Sequence, residues 1–477
     1  MAVQAGAICL LKPIWKIWEL VDWVKHNQRR AFALLLAGAL CGCGHYAPAP
    51  LHPAVVALAP ADMAALNADA EKIDRPFLSP QSIDISRPLT PNALAVIAVI
   101  ENPDLKALRA AAGVSDAQAF AARLLPDPTV ALSADKVISG PDDALGLGAQ
   151  FGFDLTQLRT ARVRRESAAA GKRKVRLDLA WAEWQTSGAA RLQGVRILAL
   201  ASQLRLAQES AASAEREYFI SHRAALRGDL AAAEVDARRQ AMLDASARLR
   251  TVEKDLDTAR GELNRLLGLT PGTKLLLAAP EPRAKPPAAS VLVDQALVRR
   301  LDLQALRAGY AAAEADVHKA VLEQFPNLSL TIAAARDTAS NYTIGPGIGF
   351  SLPLWNRNRG AILAAQATRT NLQAEYDARL FMTRAEINAA ISGLATVARQ
   401  RAELIAQMPA SEAFAVKSER AAQRGDLSRV VAATARQAVR DRQLALLQLD
   451  QQAAEQTIAL ELLSGGPSEA WGEGWTK

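Results

Sequence analysis

Leu145-Gly146-Leu147-Gly148-Ala149-Gln150-Phe151-Gly152-Phe153-Asp154-Leu155 alternates without a break, apolar at the odd numbers and glycine or polar at the even ones. Tyr342-Thr343-Ile344-Gly345-Pro346-Gly347-Ile348-Gly349-Phe350-Ser351-Leu352 repeats the pattern. Successive side chains of a strand point to opposite faces, so this period of two marks strands with one apolar face and one small or polar face. The length also suits a tilted membrane-spanning strand of about 9–11 residues. Thr129–Val137 and Leu328–Arg336 are the expected partner strands, and turn signals at Ser139-Gly140-Pro141-Asp142 and Asp337–Asn341 complete two β-hairpins. On this reading Phe151, Phe153, Ile344, Ile348 and Phe350 face lipid, and the glycine face lines a lumen. Four strands cannot close a barrel, and an open edge is not tolerated in lipid. Several chains would have to share one barrel, and three would supply twelve strands. Small hairpins capping a helical domain are the alternative, but these would not need glycine along a whole face.

The two hairpins belong to a duplication. Asn102-Pro103-Asp104-Leu105-Lys106-Ala107-Leu108-Arg109 returns as Arg300-Leu301-Asp302-Leu303-Gln304-Ala305-Leu306-Arg307. Gly152-Phe153-Asp154-Leu155 returns as Gly349-Phe350-Ser351-Leu352, and Arg227-Gly228-Asp229-Leu230 as Arg424-Gly425-Asp426-Leu427. The order is kept and the offset is 197 to 198 residues throughout, which makes two copies of one unit. The expected domains are 1–42 signal peptide, 43–91 tether, 92–270 first repeat, 271–297 linker, 298–465 second repeat and 466–477 tail.

Around the strands the chain reads as helix. Hydrophobic residues make up 50% of it but aromatics only 5%, so the chain reads as long, alanine-rich helices that pack closely. Gln157–His222 and Asn358–Ala422 are read as two unbroken helical arms. Each arm has about 65 residues, or roughly 100 Å at about 1.5 Å per residue. Each ends at Arg-Gly-Asp-Leu, where glycine is expected in the left-handed position and Asp229 or Asp426 is expected to cap the next helix. A short helix before each hairpin and a longer one after each turn would stack end to end along the arm. The fold class is therefore mainly α with membrane β: long coiled-coil hairpins forming an α-barrel, plus four strands per chain.

Several function classes are excluded by composition. The net charge of +7 is spread along helical faces among acidic residues, which describes solvated helix surface rather than a nucleic-acid footprint. The cysteines are Cys9, Cys41 and Cys43, so the body has neither a disulfide nor a thiol nucleophile. His26, His45, His52, His222 and His318 have no metal-ligand spacing. No catalytic residue, cofactor or metal is expected. Near the start, Lys25, Arg29 and Arg30 precede an apolar run from Ala31 to Leu40, too short to span a bilayer. Leu40-Cys41-Gly42-Cys43 then resembles a bacterial lipobox, with Cys43 as the acylated residue and Gly44 favouring the outer membrane. Residues 1–23, with Trp15, Trp18 and Trp23, do not fit a signal peptide, and translation is expected to start nearer Val24.

Taken together, residues 85–465 resemble the TolC family of outer-membrane efflux channels. The matching features are Asn102-Pro103-Asp104-Leu105, the prolines before strands one and three (Pro126-Asp127-Pro128 and Pro326-Asn327) and the two Arg-Gly-Asp-Leu turns. Leu263-Asn264-Arg265-Leu266-Leu267-Gly268 matches too. Pro353-Leu354-Trp355-Asn356-Arg357-Asn358-Arg359-Gly360 is similar to the CzcC-like heavy-metal branch. The first repeat departs from the pattern, with Thr156-Gln157 where the second has Pro353-Leu354, so its strand-to-helix junction is expected to bend differently.

The resemblance implies a homotrimeric, lipid-anchored outer-membrane conduit extending through the periplasm. It would meet a periplasmic membrane-fusion adaptor and an inner-membrane pump of the RND type, and would carry divalent metal cations or drugs. Arg227, Gly228, Asp229, Leu230, Arg424, Gly425, Asp426 and Leu427 would form the periplasmic tip. Asp229, Glu234, Asp236 and Asp426 would form rings of negative charge at its entrance. The competing reading is a lipid-anchored periplasmic coiled-coil adaptor or scaffold, for which the glycine-faced strands have no use.

Overall fold

The computed structural model describes residues 46–51, 53, 55, 58–141, 145–279 and 285–471. Cys43 and the signal-like segment lie outside the described residues. The chain divides into two units at Ala59–Pro60. The described residues of the first unit are all exposed.

The second unit contains a short helix α1 (Met63–Ala70), then two copies of one plan. The first copy runs α2 (Pro91–Glu101), α3 (Pro103–Ala121), β1 (Thr129–Lys136), β2 (Leu145–Asp154), α4 (Leu155–Leu226) and α5 (Ala232–Leu266). The second runs α6 (Ala289–Arg299), α7 (Leu301–Leu322), β3 (Leu328–Arg336), β4 (Tyr342–Phe350), α8 (Arg359–Arg424) and α9 (Arg429–Ser464). The long arms are 72 residues (α4) and 66 residues (α8). Helices α3 and α5 line α4, while α7 and α9 line α8 and also the other flank of α4. Among the described residues no helix is long and apolar enough to cross a membrane.

The repeated Leu-x-Ala-Leu-Arg motif works at the stacking joints. Arg109 donates to the carbonyls of Val99 and Ile100 at the end of α2, and Arg307 donates to that of Leu297 (3.1 Å) at the end of α6. Each arginine thus satisfies carbonyls that a helix end leaves without donors. Asn102 accepts from the amide of Leu105 (3.0 Å) and donates to the carbonyl of Leu266 (3.0 Å), tying the start of α3 to the end of α5. Gly268 (φ 62°) and Gly465 (φ 76°) close these joints; a Cβ on Gly268 would collide with the Glu101 carbonyl.

Three expectations are corrected here. The 43–91 tether is folded from Pro60 on: Leu66, Ala70, Leu78, Ile83 and Leu89 are buried against α2, α4 and α5. Leu89 pairs with Leu277 in an isolated parallel bridge, and Arg75 reaches Glu183 on α4 at 2.5 Å. The 271–297 linker includes most of α6, which answers α2 at an offset of 198 residues, so the second repeat starts near Ala289 and not at 298. Finally, an unbroken arm is expected to lack proline, but Pro409 lies inside α8, which still runs unbroken from Arg359 to Arg424. Proline leaves the Ile405 carbonyl without its helical donor. Met408 and Ala415 pack on Ala435 and Val439 of α9, and that contact carries the helix through.

Buried charge is concentrated where the elements meet. Glu183 is 1% exposed and takes both Arg75 and Arg109 (2.8 Å). The Glu183 carboxylate raises the Arg75 guanidinium above its ordinary value. Glu461 on α9, also 1% exposed, takes Arg191 of α4 at 2.6 Å. Arg300 pairs with Asp302 at 2.7 Å and stacks over Trp181.

A candidate membrane channel

The four strands form one antiparallel sheet in the order β1-β2-β3-β4. The expected hairpins are both present, and β2–β3 joins the two repeats edge to edge. The register keeps the faces apart across the whole sheet. Val130, Phe151, Ile332 and Pro346 form one row on the apolar face, and Leu132, Ala149, Ala334 and Ile344 form another. Phe153, Leu330 and Ile348 follow, then Leu328 with Phe350. Phe151, Phe153, Ile344, Ile348 and Phe350 therefore share one face, as the alternation predicts. Phe151 (49%), Ile344 (78%), Ile348 (67%) and Phe350 (62%) are also exposed, so nothing among the described residues covers that face. One end of the band carries Lys136, Arg336 and Tyr342, with Arg336 over the tyrosine ring.

The opposite face shows why it is rich in glycine. Gly152 lies across from Thr129, Gly148 from Ser133, Gly347 from Thr331 and Gly349 from Ser329. A Cβ on Gly152 would sit 2.5 Å from Thr129 Oγ1, and one on Gly347 would sit 2.6 Å from Thr331 Oγ1. Thr331 and Ser329 donate to the carbonyls of Gly347 (3.2 Å) and Gly349 (3.3 Å). Each glycine makes room for a hydroxyl on the neighbouring strand, a cross-strand pairing that alternation alone does not reveal.

The strand-to-helix junctions differ between repeats, as the sequence suggests. β2 runs straight into α4, with Asp154 capping the helix through the Thr156 amide (2.9 Å). Between β4 and α8 lie Ser351–Asn358, with Arg357 (φ 46°) and Asn358 (φ 53°) both left-handed.

At the far end of the arms both Arg-Gly-Asp-Leu segments are turns. Gly228 (φ 81°) and Gly425 (φ 85°) are left-handed, as expected. The amide of Asp229 bonds to the Ala224 carbonyl (3.0 Å) and that of Asp426 to the Ala421 carbonyl (2.9 Å). These are the long bonds of a Schellman ending, completed by Gly228 to Ala225 and Gly425 to Ala422. Ser210 of α4 donates to Gln437 of α9 (2.9 Å), which sets both turns at the same end of the unit.

The capping role assigned to the aspartates is corrected. α5 has no side-chain cap, and α9 is capped by Ser428. Asp229 instead pairs with Arg227 (3.0 Å) and Asp426 with Arg424 (2.8 Å), each two residues away. Such exposed pairs are worth about 0–1 kcal/mol, so the glycine and the backbone bonds hold the turn. Of the expected entrance charges, Glu234 and Asp236 lie exposed in the first turns of α5, while Asp229 and Asp426 are each paired with the arginine of their own turn. Leu230 and Leu427 are partly covered.

Residues 292–466 match the family model described as outer membrane efflux protein. The match spans nearly all of the second repeat, from within α6 to just past the end of α9. No curated protein matches the chain. Among solved structures, the fold is similar to the outer-membrane channel OprN, with 19% identity over 90% of this chain and 99% of that one and a TM-score of 0.67. VceC of Vibrio cholerae is similar at 17% identity over 79% and 96%, with a TM-score of 0.65. So is the open-state outer-membrane channel MtrE of Neisseria gonorrhoeae, at 18% identity over 78% and 88%, also with 0.65. These likenesses establish the fold across both repeats.

Proposed function

We propose that the chain is a lipid-anchored subunit of a trimeric export conduit that crosses the outer membrane and reaches through the periplasm. The observation that carries this reading is the sheet. It has a continuous exposed apolar face and two open edges, and it stands on helical arms of 72 and 66 residues. Open edges in lipid require neighbours. The helices make the same demand. α4 is lined on both flanks, whereas α8 buries only Thr383, Ile387, Val397, Ala415 and Ser418 and leaves Leu363, Phe381, Ile405 and Phe414 exposed. The missing flank of α8 fits α3 and α5 of the next copy, just as the β4 edge fits the next β1.

Acylation at Cys43 supplies the anchor, since two or more lipid chains hold a protein where one is marginal. Cys43→Ser is expected to remove lipid from the intact mass while leaving oligomers in the membrane. The tip turns face a membrane-fusion adaptor and an RND-type pump, which provides the energy. Divalent metal cations or drugs are the cargo, metals being favoured by the Pro353–Gly360 motif.

The purified protein should give discrete conductance in planar bilayers. A deletion strain should regain export of a metal or drug when the gene is returned. A protein released from membranes by carbonate washing and silent in bilayers would instead support the scaffold reading.

A further inference from the structure

The segment between β4 and α8 has no use in closing the fold. The first repeat makes the same passage directly through Asp154, without a linker. The second spends Ser351–Asn358 on it and holds Arg357 in a left-handed conformation that a side chain other than glycine, asparagine or aspartate seldom adopts. Strain of this kind persists only where surrounding contacts impose it, and it collects at functional positions. Those contacts are present. Asn358 donates to the Ala320 carbonyl of α7 (2.8 Å), and Arg359 N bonds to Asn356 O (3.0 Å). At the other end Ser351 N bonds to Asn327 O (3.3 Å), and Leu354 N turns back to Leu352 O (2.9 Å).

What this held loop presents is apolar. Trp355 is 87% exposed, Leu352 62% and Leu354 59%. They adjoin the Leu328–Phe350 end of the apolar face, opposite to the end that carries Lys136, Arg336 and Tyr342. The cations Arg357 and Arg359 flank the tryptophan and are exposed, with no carboxylate partner among the described residues. An indole beside unpaired arginines at the margin of an apolar band matches the chemistry of a phospholipid interface, where aromatic rings sit at headgroup level and cations meet phosphate.

We propose that Leu352–Arg359 is an interfacial anchor that seats Trp355 among phospholipid headgroups of the periplasmic leaflet, with Arg357 and Arg359 against lipid phosphates. This rests on the reading of the sheet as part of a membrane barrel. It adds a fixed depth stop at one strand-to-helix junction of each chain, so the helical arm leaves the bilayer at a set height.

The test is quenching of Trp355 fluorescence by brominated lipid. Full-length protein and Trp355→Phe are reconstituted in phosphatidylethanolamine–phosphatidylglycerol vesicles brominated either near the glycerol or near the acyl end. Their difference isolates Trp355 from the other tryptophans. Loss of that component with the shallow bromines, and its survival with the deep ones, is the expected result. Arg357→Gln with Arg359→Gln should weaken the shallow quenching in anionic vesicles. Phe151→Trp in the Trp355→Phe background reports on the barrel itself. If Phe151→Trp is quenched and Trp355 is not, the anchor is overturned and the barrel stands, with Trp355 facing the lumen or an adjoining copy. If neither is quenched, the membrane reading fails and the anchor with it.

Discussion

Replacing Phe151 by lysine places a charge on the apolar face, and replacing Gln150 places one on the glycine face a single residue away. Phe151 lies between Val130 and Ile332 in the middle rows of the band, far from both the Lys136–Arg336 end and the Leu328–Phe350 end. At such a depth a lysine costs about 2–4 kcal/mol per chain. Three copies in one barrel would lose roughly 6–12 kcal/mol, enough to prevent insertion of an ordinarily stable assembly. Gln150 sits between Ala131 and Ala333 with Gly148 and Gly152 beside it along the strand, so a lysine there has room and, on the proposed reading, faces the lumen. The assay is the fraction of heat-modifiable oligomer recovered from outer membranes, followed by urea titration of whatever inserts. Phe151→Lys should abolish the oligomer or shift it to much lower urea, and Gln150→Lys should match the wild type. Equal damage from both, or damage from Gln150→Lys alone, would refute the face assignment, because a one-residue slip exchanges the two faces.

Glu183→Ala should destabilise the unit by about 1.5–3 kcal/mol, since it removes the buried carboxylate that the part-exposed Arg75 and Arg109 share; a wild-type urea midpoint would contradict this. Gly268→Ala should cost at least about 1–2 kcal/mol from the left-handed backbone alone, with the Glu101 carbonyl adding to it. Gly113→Ala, which meets nothing within 4 Å, should stabilise α3 by up to about 1 kcal/mol, and urea titration of both glycine variants checks the two signs. Arg424→Glu replaces the in-turn pair with two carboxylates at the tip. It should leave oligomer yield normal and raise leak conductance or weaken adaptor cross-linking, whereas loss of folded oligomer would reduce Arg424 to a structural role.

What the sequence by itself determined are the features written locally. Period-two alternation specifies four strands and their faces, because Cβ direction alternates whatever the partner is. Glycine in Arg-Gly-Asp-Leu specifies two helix endings, because only glycine adopts the left-handed position freely. The duplication specifies that the elements from α2 to α5 return as α6 to α9, down to Arg109 and Arg307 on matching carbonyls.

The remainder depended on contacts between residues distant in the chain. That β2 pairs with β3 across the repeat boundary, and that Gly148, Gly152, Gly347 and Gly349 each receive a particular hydroxyl from their hairpin partner, are properties of register. Residues 60–90 read as a proline-rich tether, but Leu66, Leu78, Ile83 and Leu89 find a groove made by α2, α4 and α5, and burial there outweighs a weak local preference. Pro409 should break a helix, yet α9 packs along α8 and holds it. Asp229 and Asp426 had two partners within reach, a helix amide and an arginine. The turn geometry set by Gly228 and Gly425 aimed both carboxylates at the arginine.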